Sequence, residues 1–385
     1  MANMVLSRRG LLALGASGLA TAGLASCGAG GMGSLRADGS GSSAIEACAE
    51  NVRIIGRCYD EEGTLWLAQS GSGIEFSVTS PSLSLDLVCD PKASKQDDLR
   101  PRYAIFVNDE LVIDKPLFKA KSASELTLPD AQAPSTVRLV LLSEAKQGGI
   151  GVRGISLHER AASLPEPTKE PDLHIGFVGD SITCAYGIEA DDASDSFATD
   201  EENFLKGYAY LTAQQLGASY DVVSYSGYGV VSGWTSDGTR KDDWLVPPLY
   251  DLVAEGHDAT WNFAEHPSDV VVVNLGTNDY SYTQNDEERM AEFGQGYAAF
   301  LGKVRERNPR ALIVCTMGTM GGQELYPYIE QAVRTHADAT GDKRCISYLS
   351  DPIDAADGYG AGNHPNEVTH RKMADKLVSV IRGAL

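Results

Sequence analysis

The sequence predicts two domains built on different grammars. An antiparallel, jelly-roll-like β-sandwich occupies residues 45–160, and a three-layer α/β/α domain with a mostly parallel sheet occupies residues 173–385. Three observations carry this expectation. From Val52 to about His158 apolar residues alternate with period two and are broken by Gly, Pro, Asn and Asp, with no long helical pattern between them. From His174 onward, short and nearly continuous apolar runs alternate with stretches of helical periodicity, as expected for strands covered on both faces. Between the halves, Pro165, Pro167 and Pro171 lie among charges and mark residues 161–172 as a linker.

The chain opens on Ser7-Arg8-Arg9-Gly10-Leu11-Leu12, a positive region followed by an apolar run from Leu11 to Ala25 that is too short to span a membrane comfortably. The run closes on Leu24-Ala25-Ser26-Cys27, which resembles a bacterial lipobox, and the paired arginines resemble a twin-arginine export signal. Residues 1–27 are therefore expected to be a signal peptide with a lipobox, and residues 28–44, rich in Gly and Ser, a flexible tether. The implied location is the cell surface of a bacterium, with the membrane touched only through a lipid on Cys27. The formal net charge of −21 becomes more negative once the leader, with its two arginines and no acids, is removed. That excess disfavours nucleic acid and anionic membrane surfaces as partners. Six cysteines remain beyond Cys27: Cys48, Cys58, Cys89, Cys184, Cys315 and Cys345. Export permits disulfides, but the spacing matches no metal pattern and assigns no pairs.

In the first half, Gly73–Thr79 and Ser82–Val88 alternate cleanly. Arg102–Val107, the turn Asn108-Asp109-Glu110 and Leu111–Ile113 read as strand, turn, strand. Thr136–Leu142 and Ile150–Leu157 add two more. In the second half, His174–Gly179, Asp221–Tyr225, Asp269–Leu275 and Ala311–Thr316 read as buried strands, and Phe204–Leu216, Glu288–Arg307, Glu324–Ala339 and Glu367–Leu385 as helices. Ligands of such sheets bind beyond the carboxyl ends of the strands.

Four segments at those ends or in late loops carry candidate chemistry. Gly179-Asp180-Ser181 follows the first strand and presents a hydroxyl near a helix N-terminus, although Asp or Ser there also serves as an ordinary helix cap. Ser226-Gly227-Tyr228-Gly229 offers close backbone approach, or simply a tight turn. In Asn274-Leu275-Gly276-Thr277-Asn278-Asp279, Asn278 offers an amide donor or turn chemistry. Gly362-Asn363-His364-Pro365 supplies an imidazole just before the last helix, where a lone His is more often a surface residue.

In this order and placement the four segments resemble the blocks of the SGNH (or GDSL) hydrolases. The fused sandwich, with Ile55-Gly56-Arg57 near its start, Gly148–Ile155 near its end and Gly-Asp-Ser-Ile-Thr-Cys behind it, is most similar to carbohydrate esterase family 2. The resemblance covers about residues 50–385. It implies that Ser181 is the nucleophile and His364 the base. It also implies an oxyanion hole made by the N–H groups of Ser181 and Gly229 and the amide of Asn278, with Gly229 matching better than Gly227. No metal or cofactor is implied, and the substrate would be an O-acetylated plant-type polysaccharide or oligosaccharide.

The sequence departs from the pattern at Ala361, where most members carry the Asp that orients the base. The resemblance to carbohydrate esterase family 2, some members of which use a dyad with a main-chain carbonyl orienting the base, implies a Ser181–His364 dyad here, with Asp354 and Asp357 as weaker alternatives. An ordinary imidazole would make the rate rise between about pH 6 and 7. Trp234 and Trp261, with Tyr186, Tyr228 and Tyr280, are candidates for stacking on sugar rings. Two other readings remain open. One is an esterase of the same fold acting on a lipid, a sialate acetyl or a thioester; the other is a catalytically degenerate, surface-anchored glycan-binding lipoprotein.

Overall fold

The computed structural model describes residues 35–37, 43–93, 95–158 and 161–385. The expected signal peptide and its Cys27 lie outside the described residues. Within the span expected to be tether, Leu35–Ala37 pairs antiparallel with Ser43–Ile45, and Ile45 in turn pairs with Ile155.

The first half is a sandwich of two antiparallel sheets, with seven and six strands among the described residues. In one, Ile150–His158 is central and pairs with Ser82–Cys89 on one side and Thr64–Leu67 on the other. In the other, Ser135–Leu141 lies between Gly73–Val78 and Arg102–Val107. Period-two alternation sends Ile74, Phe76 and Val78 from one sheet and Leu83, Leu85 and Leu87 from the other into a single core. The alternation missed several pieces. Arg53–Ile55, Cys58–Glu61 and Thr64–Leu67 are too short to show a period, and Lys121–Thr127 carries few apolar residues. The stretch expected to be linker contributes Glu166–Pro167, which pairs with Gly73–Val78.

The second half is a five-stranded sheet with every neighbour parallel, in the order Ala218–Ser224, Leu173–Gly179, Val270–Asn274, Leu312–Met317, Cys345–Leu349. The last strand escaped the sequence reading because it is an edge and its side chains are only partly buried. Alternation along the central strands divides the core between the two faces. Val271, Val273, Ile313 and Cys315 pack with Phe293, Tyr297 and Leu301 of the Glu287–Arg307 helix and Ile329 of the Tyr326–Thr340 helix. Val270, Val272, Leu312 and Val314 pack with Tyr208 and Ala209 of the Tyr208–Leu216 helix and Leu377 and Ile381 of the Glu367–Ala384 helix. Because Leu173–Gly179, the first strand of this sheet in the chain, is flanked by the second (Ala218–Ser224) on one side and the third (Val270–Asn274) on the other, the chain reverses direction of travel across the sheet there. The turns leaving Gly179 and Asn274 therefore splay apart and open a crevice at their carboxyl ends.

The two halves are locked together by buried polar groups. Arg57 of the sandwich, 2% exposed, donates from Nε to Asp221 Oδ1 at 2.8 Å and from a terminal nitrogen to the carbonyls of Tyr250 and Leu252 at 2.7 and 2.8 Å. Burial alone would push the Asp221 carboxyl up; the charge of Arg57 and a hydrogen bond with His174 outweigh it and hold the group at about 2. Gln69 reaches the Tyr225 hydroxyl, and the Tyr220 hydroxyl donates to the Gly71 carbonyl. Removing one partner of such a buried pair strands the other charge, which costs about 3–5 kcal/mol. Arg57→Met should accordingly lower unfolding stability by about that amount in urea titrations. A change below about 1 kcal/mol would mean that the pair contributes nothing to docking the halves.

Candidate active site

The strand ending at Gly179 delivers the chain into a tight entry. A Cβ on Gly179 would lie 2.0 Å from Thr183 Oγ1, so only glycine lets the Ser181–Cys184 helix start this close to the sheet. Asp180 caps the helix by accepting the Ile182 N–H at 3.0 Å, and Ser181 occupies its first turn, where no helical carbonyl precedes its N–H. Ala185, in a left-handed conformation, ends the helix after one turn. Beyond it the Tyr186 ring lies 4.4 Å from the imidazole of His364.

His364 arrives from a tight turn, Ala361–Asn363, in which Gly362 and Asn363 both have positive φ. The turn is docked by the Ala361 N–H donating to the Gly187 carbonyl at 3.0 Å. Nδ1 of His364 donates to the Ala361 carbonyl at 2.9 Å; a carbonyl only accepts, so this bond fixes the tautomer and leaves Nε2 as an acceptor. Nε2 faces Ser181 Oγ at 2.9 Å. The structure thus brings together the two residues expected to form the dyad, 183 positions apart in the chain. The residue that lacks the usual carboxylate supplies its main chain instead. Asp354 and Asp357 are engaged elsewhere, the first capping the Ala356 N–H and the second paired with Lys372 at 2.5 Å.

Asn278 and Asp279 begin the Thr277–Thr283 helix after the third strand. Asn278 Nδ2 donates to the Tyr228 carbonyl at 2.8 Å and, more weakly, to Asp180 Oδ2 at 3.3 Å, so the amide sits beside the residue preceding Ser181. Asp279, next to Asn278, was given no role in the sequence reading. It accepts the N–H groups of Val230, Val231 and Ser232. Burial pushes its carboxyl up to about 6, against the pull of those donors. Burial also pushes Asp180 up to about 7, opposed by the Ile182 N–H and reinforced by Asp279.

Two expectations are corrected. The Gly229 N–H is not directed at the site: it donates to the Trp244 carbonyl at 3.1 Å in a bridge between Gly229 and Leu245. Glycine is required there for a different reason, since a Cβ would meet the Ser232 carbonyl at 2.1 Å and Asp279 at 2.7 Å. In the same loop the Gly227 N–H donates to no group among the described residues. Trp261 is also not near the site. It is buried against His266 and the Arg57 guanidinium and lines a cleft with His174 and Ser219, at the amino ends of strands about 20 Å long. Trp234 is 53% exposed, and its N–H donates to the Gly227 carbonyl at 2.7 Å, which keeps it beside the site. Trp244, also exposed and stacked on Tyr228, was missed because no motif adjoins it in sequence. Tyr228 and Tyr280 bond to Glu255 and Asn285 through their hydroxyls.

Among the described residues one cluster, Glu144, Cys184 and Glu202, has metal-ligand chemistry. Its donors do not fit a resident ion. The Ser226 N–H already occupies Glu144 Oε2 and the Glu144 N–H occupies Glu202 Oε2, while burial pushes the Cys184 thiol and the Glu202 carboxyl well up, toward their protonated forms. Cys58, Cys89, Cys184, Cys315 and Cys345 carry thiols rather than disulfides.

A parallel sheet with a reversal in strand order, a helix-mounted serine, an imidazole in contact with it and an amide beside it define a serine hydrolase of the α/β/α type. The chain belongs to the GDSL-like Lipase/Acylhydrolase family, whose model matches residues 177–372. It is 30% identical over 270 residues to the cellulase/esterase CelE of Acetivibrio thermocellus, covering 69% of this chain and 32% of that protein. It is 27% identical over 253 residues to an acetylxylan esterase/glucomannan deacetylase of Cellvibrio japonicus, covering 62% of this chain and 67% of that protein. This chain thus spans about a third of the first of these relatives and about two thirds of the second. A family two carbohydrate esterase from Clostridium thermocellum, solved in complex with cellohexaose, superposes with a TM-score of 0.77 at 25% identity, covering 86% of this chain and 98% of that one.

Burial pulls the His364 imidazole down to about 4, against the upward pull of the Ala361 and Gly362 backbone. The base is then neutral, and able to accept a proton, down to about that pH. The acid limb set by His364 in esterase kcat/KM should therefore lie near pH 4 rather than at 6–7. A pH–rate profile with its half-point at 6–7 would show that burial does not depress this group.

Proposed function

We propose that the protein is a serine esterase that removes O-acetyl groups from plant-type polysaccharides or oligosaccharides. The observation that carries the reading is the 2.9 Å contact between Ser181 Oγ and the unprotonated Nε2 of His364, with the opposite ring nitrogen held by the Ala361 carbonyl. His364 takes the Ser181 proton as Oγ attacks the acetyl carbon. Negative charge collects on the former carbonyl oxygen. In this reading the N–H of Ser181 and the Asn278 amide receive it, the oxyanion displacing the 3.3 Å bond from Asn278 to Asp180. His364 then returns the proton to the departing sugar hydroxyl. Water repeats the sequence on the acyl-enzyme and releases acetate. The Ala361 carbonyl preserves the tautomer, which is the larger part of what a triad carboxylate provides; it does not supply the negative charge that stabilises imidazolium.

The carbohydrate substrate is supported by the named relatives, and by the exposed Trp234 and Trp244 rings beside the Gly227 turn, which offer flat apolar faces of the kind that pack on sugars.

Ser181→Ala should abolish acetate release from acetylated xylan and glucomannan while leaving the thermal transition in place. Normal turnover in this variant would remove Ser181 as the nucleophile. Asn278→Ala should lower kcat by on the order of 100-fold. A loss below threefold would show that its amide does not meet the oxyanion.

A further inference from the structure

The turn between the second strand and Trp234 is held from outside its own domain. Glu144, in the loop after the sandwich strand Ser135–Leu141, is 1% exposed and accepts the Ser226 N–H on Oε2 at 2.7 Å. Two residues on, Lys146 donates from Nζ to the Ser226 carbonyl at 2.9 Å. The sandwich therefore grips both main-chain polar groups of Ser226. The second grip matters for the next residue, because the Ser226 carbonyl and the Gly227 N–H belong to one planar, trans peptide and point in opposite directions. Holding the carbonyl toward Lys146 turns the Gly227 N–H away from the sandwich. That N–H has no acceptor among the described residues, and Gly227 itself has φ +85, which glycine adopts without strain. The turn abuts the site: the carbonyl of the following residue, Tyr228, accepts from Asn278, which also contacts Asp180.

We propose that Glu144 and Lys146 of the sandwich are positioning residues that aim the Gly227 N–H at the oxyanion of the Ser181 reaction, so that the esterase site is completed across the domain boundary. The inference rests on the esterase reading above. It accounts for two facts together: Gly229 is unavailable as a donor, and a buried carboxylate from one domain ends on a backbone N–H of the other. Glu202 supports the arrangement from behind by accepting the Glu144 N–H at 2.9 Å.

The test uses the full chain and 4-nitrophenyl acetate, a substrate with no sugar to contact remote surfaces. Glu144→Asp withdraws the carboxylate by one methylene and should lower kcat by about 10- to 100-fold with KM within twofold. Glu144→Gln keeps an oxygen at the same reach and should stay within about threefold of the parent. Lys146→Met should lower kcat in the same direction as Glu144→Asp. Arg57→Met, which loosens the domain seam without touching the turn, should lower the thermal midpoint and leave kcat at 25 °C unchanged. Parent-like kcat in Glu144→Asp, equal losses in the Asp and Gln variants, or a loss of kcat in Arg57→Met matching that in Glu144→Asp would each overturn the proposal. An inactive parent enzyme would instead overturn the esterase reading itself.

Discussion

The chemistry of this protein depends on a reversal in strand order. Leu173–Gly179 has the second strand on one side and the third on the other, so the turns leaving the two central strands diverge at their carboxyl ends. Ser181 and Asn278 stand at the mouths of those turns, and the last loop brings His364 across the same rim. Had the strands run in simple sequence order, these turns would pack against each other and no substrate carbonyl could enter between them. The near-continuous valines of Val270–Asn274 make that geometry rigid, because they are buried on both faces.

The replacement of a carboxylate by the Ala361 carbonyl has consequences beyond orientation. A carbonyl in a docked turn holds the ring through Nδ1 and fixes its tautomer. It adds no charge, and the half-buried imidazole is consequently pulled toward its neutral form instead of being raised by an anion. The same burial lifts Asp180 and Asp279, which lie close together behind the site. The site's pH behaviour is therefore governed by desolvation more than by charge pairing, and the base remains available in mildly acidic solution.

The domain seam is held by buried polar groups. Arg57, Gln69 and Glu144 all reach from the sandwich into the hydrolase half and end on strands or turns near the sheet. Such contacts are costly to desolvate and are worth keeping only when each group is satisfied. Arg57 meets that condition with a carboxylate and two carbonyls. These contacts tie the two halves together through buried polar groups.

Much of this was legible in the residues. Period two in the first half and buried runs alternating with helices in the second determined the fold class, because face-by-face burial follows directly from backbone geometry. Ser181, Asn278 and His364 were legible through the order and placement of four short segments, which together resemble the SGNH blocks. Gly229 and Trp261 were not. Whether an N–H is free or a ring is exposed depends on what arrives from elsewhere in the chain: the Trp244 carbonyl in one case, Arg57 and His266 in the other. The same holds for Glu144, whose partner is 82 positions away; the resemblance implied a main-chain carbonyl for His364, and the folded turn shows it to be that of Ala361. The sequence by itself determined which elements form and which residues bear reactive groups; only the tertiary structure decided which backbone donors and acceptors were left to serve them, because main-chain groups are identical at nearly every position and are distinguished only by the contacts made on folding.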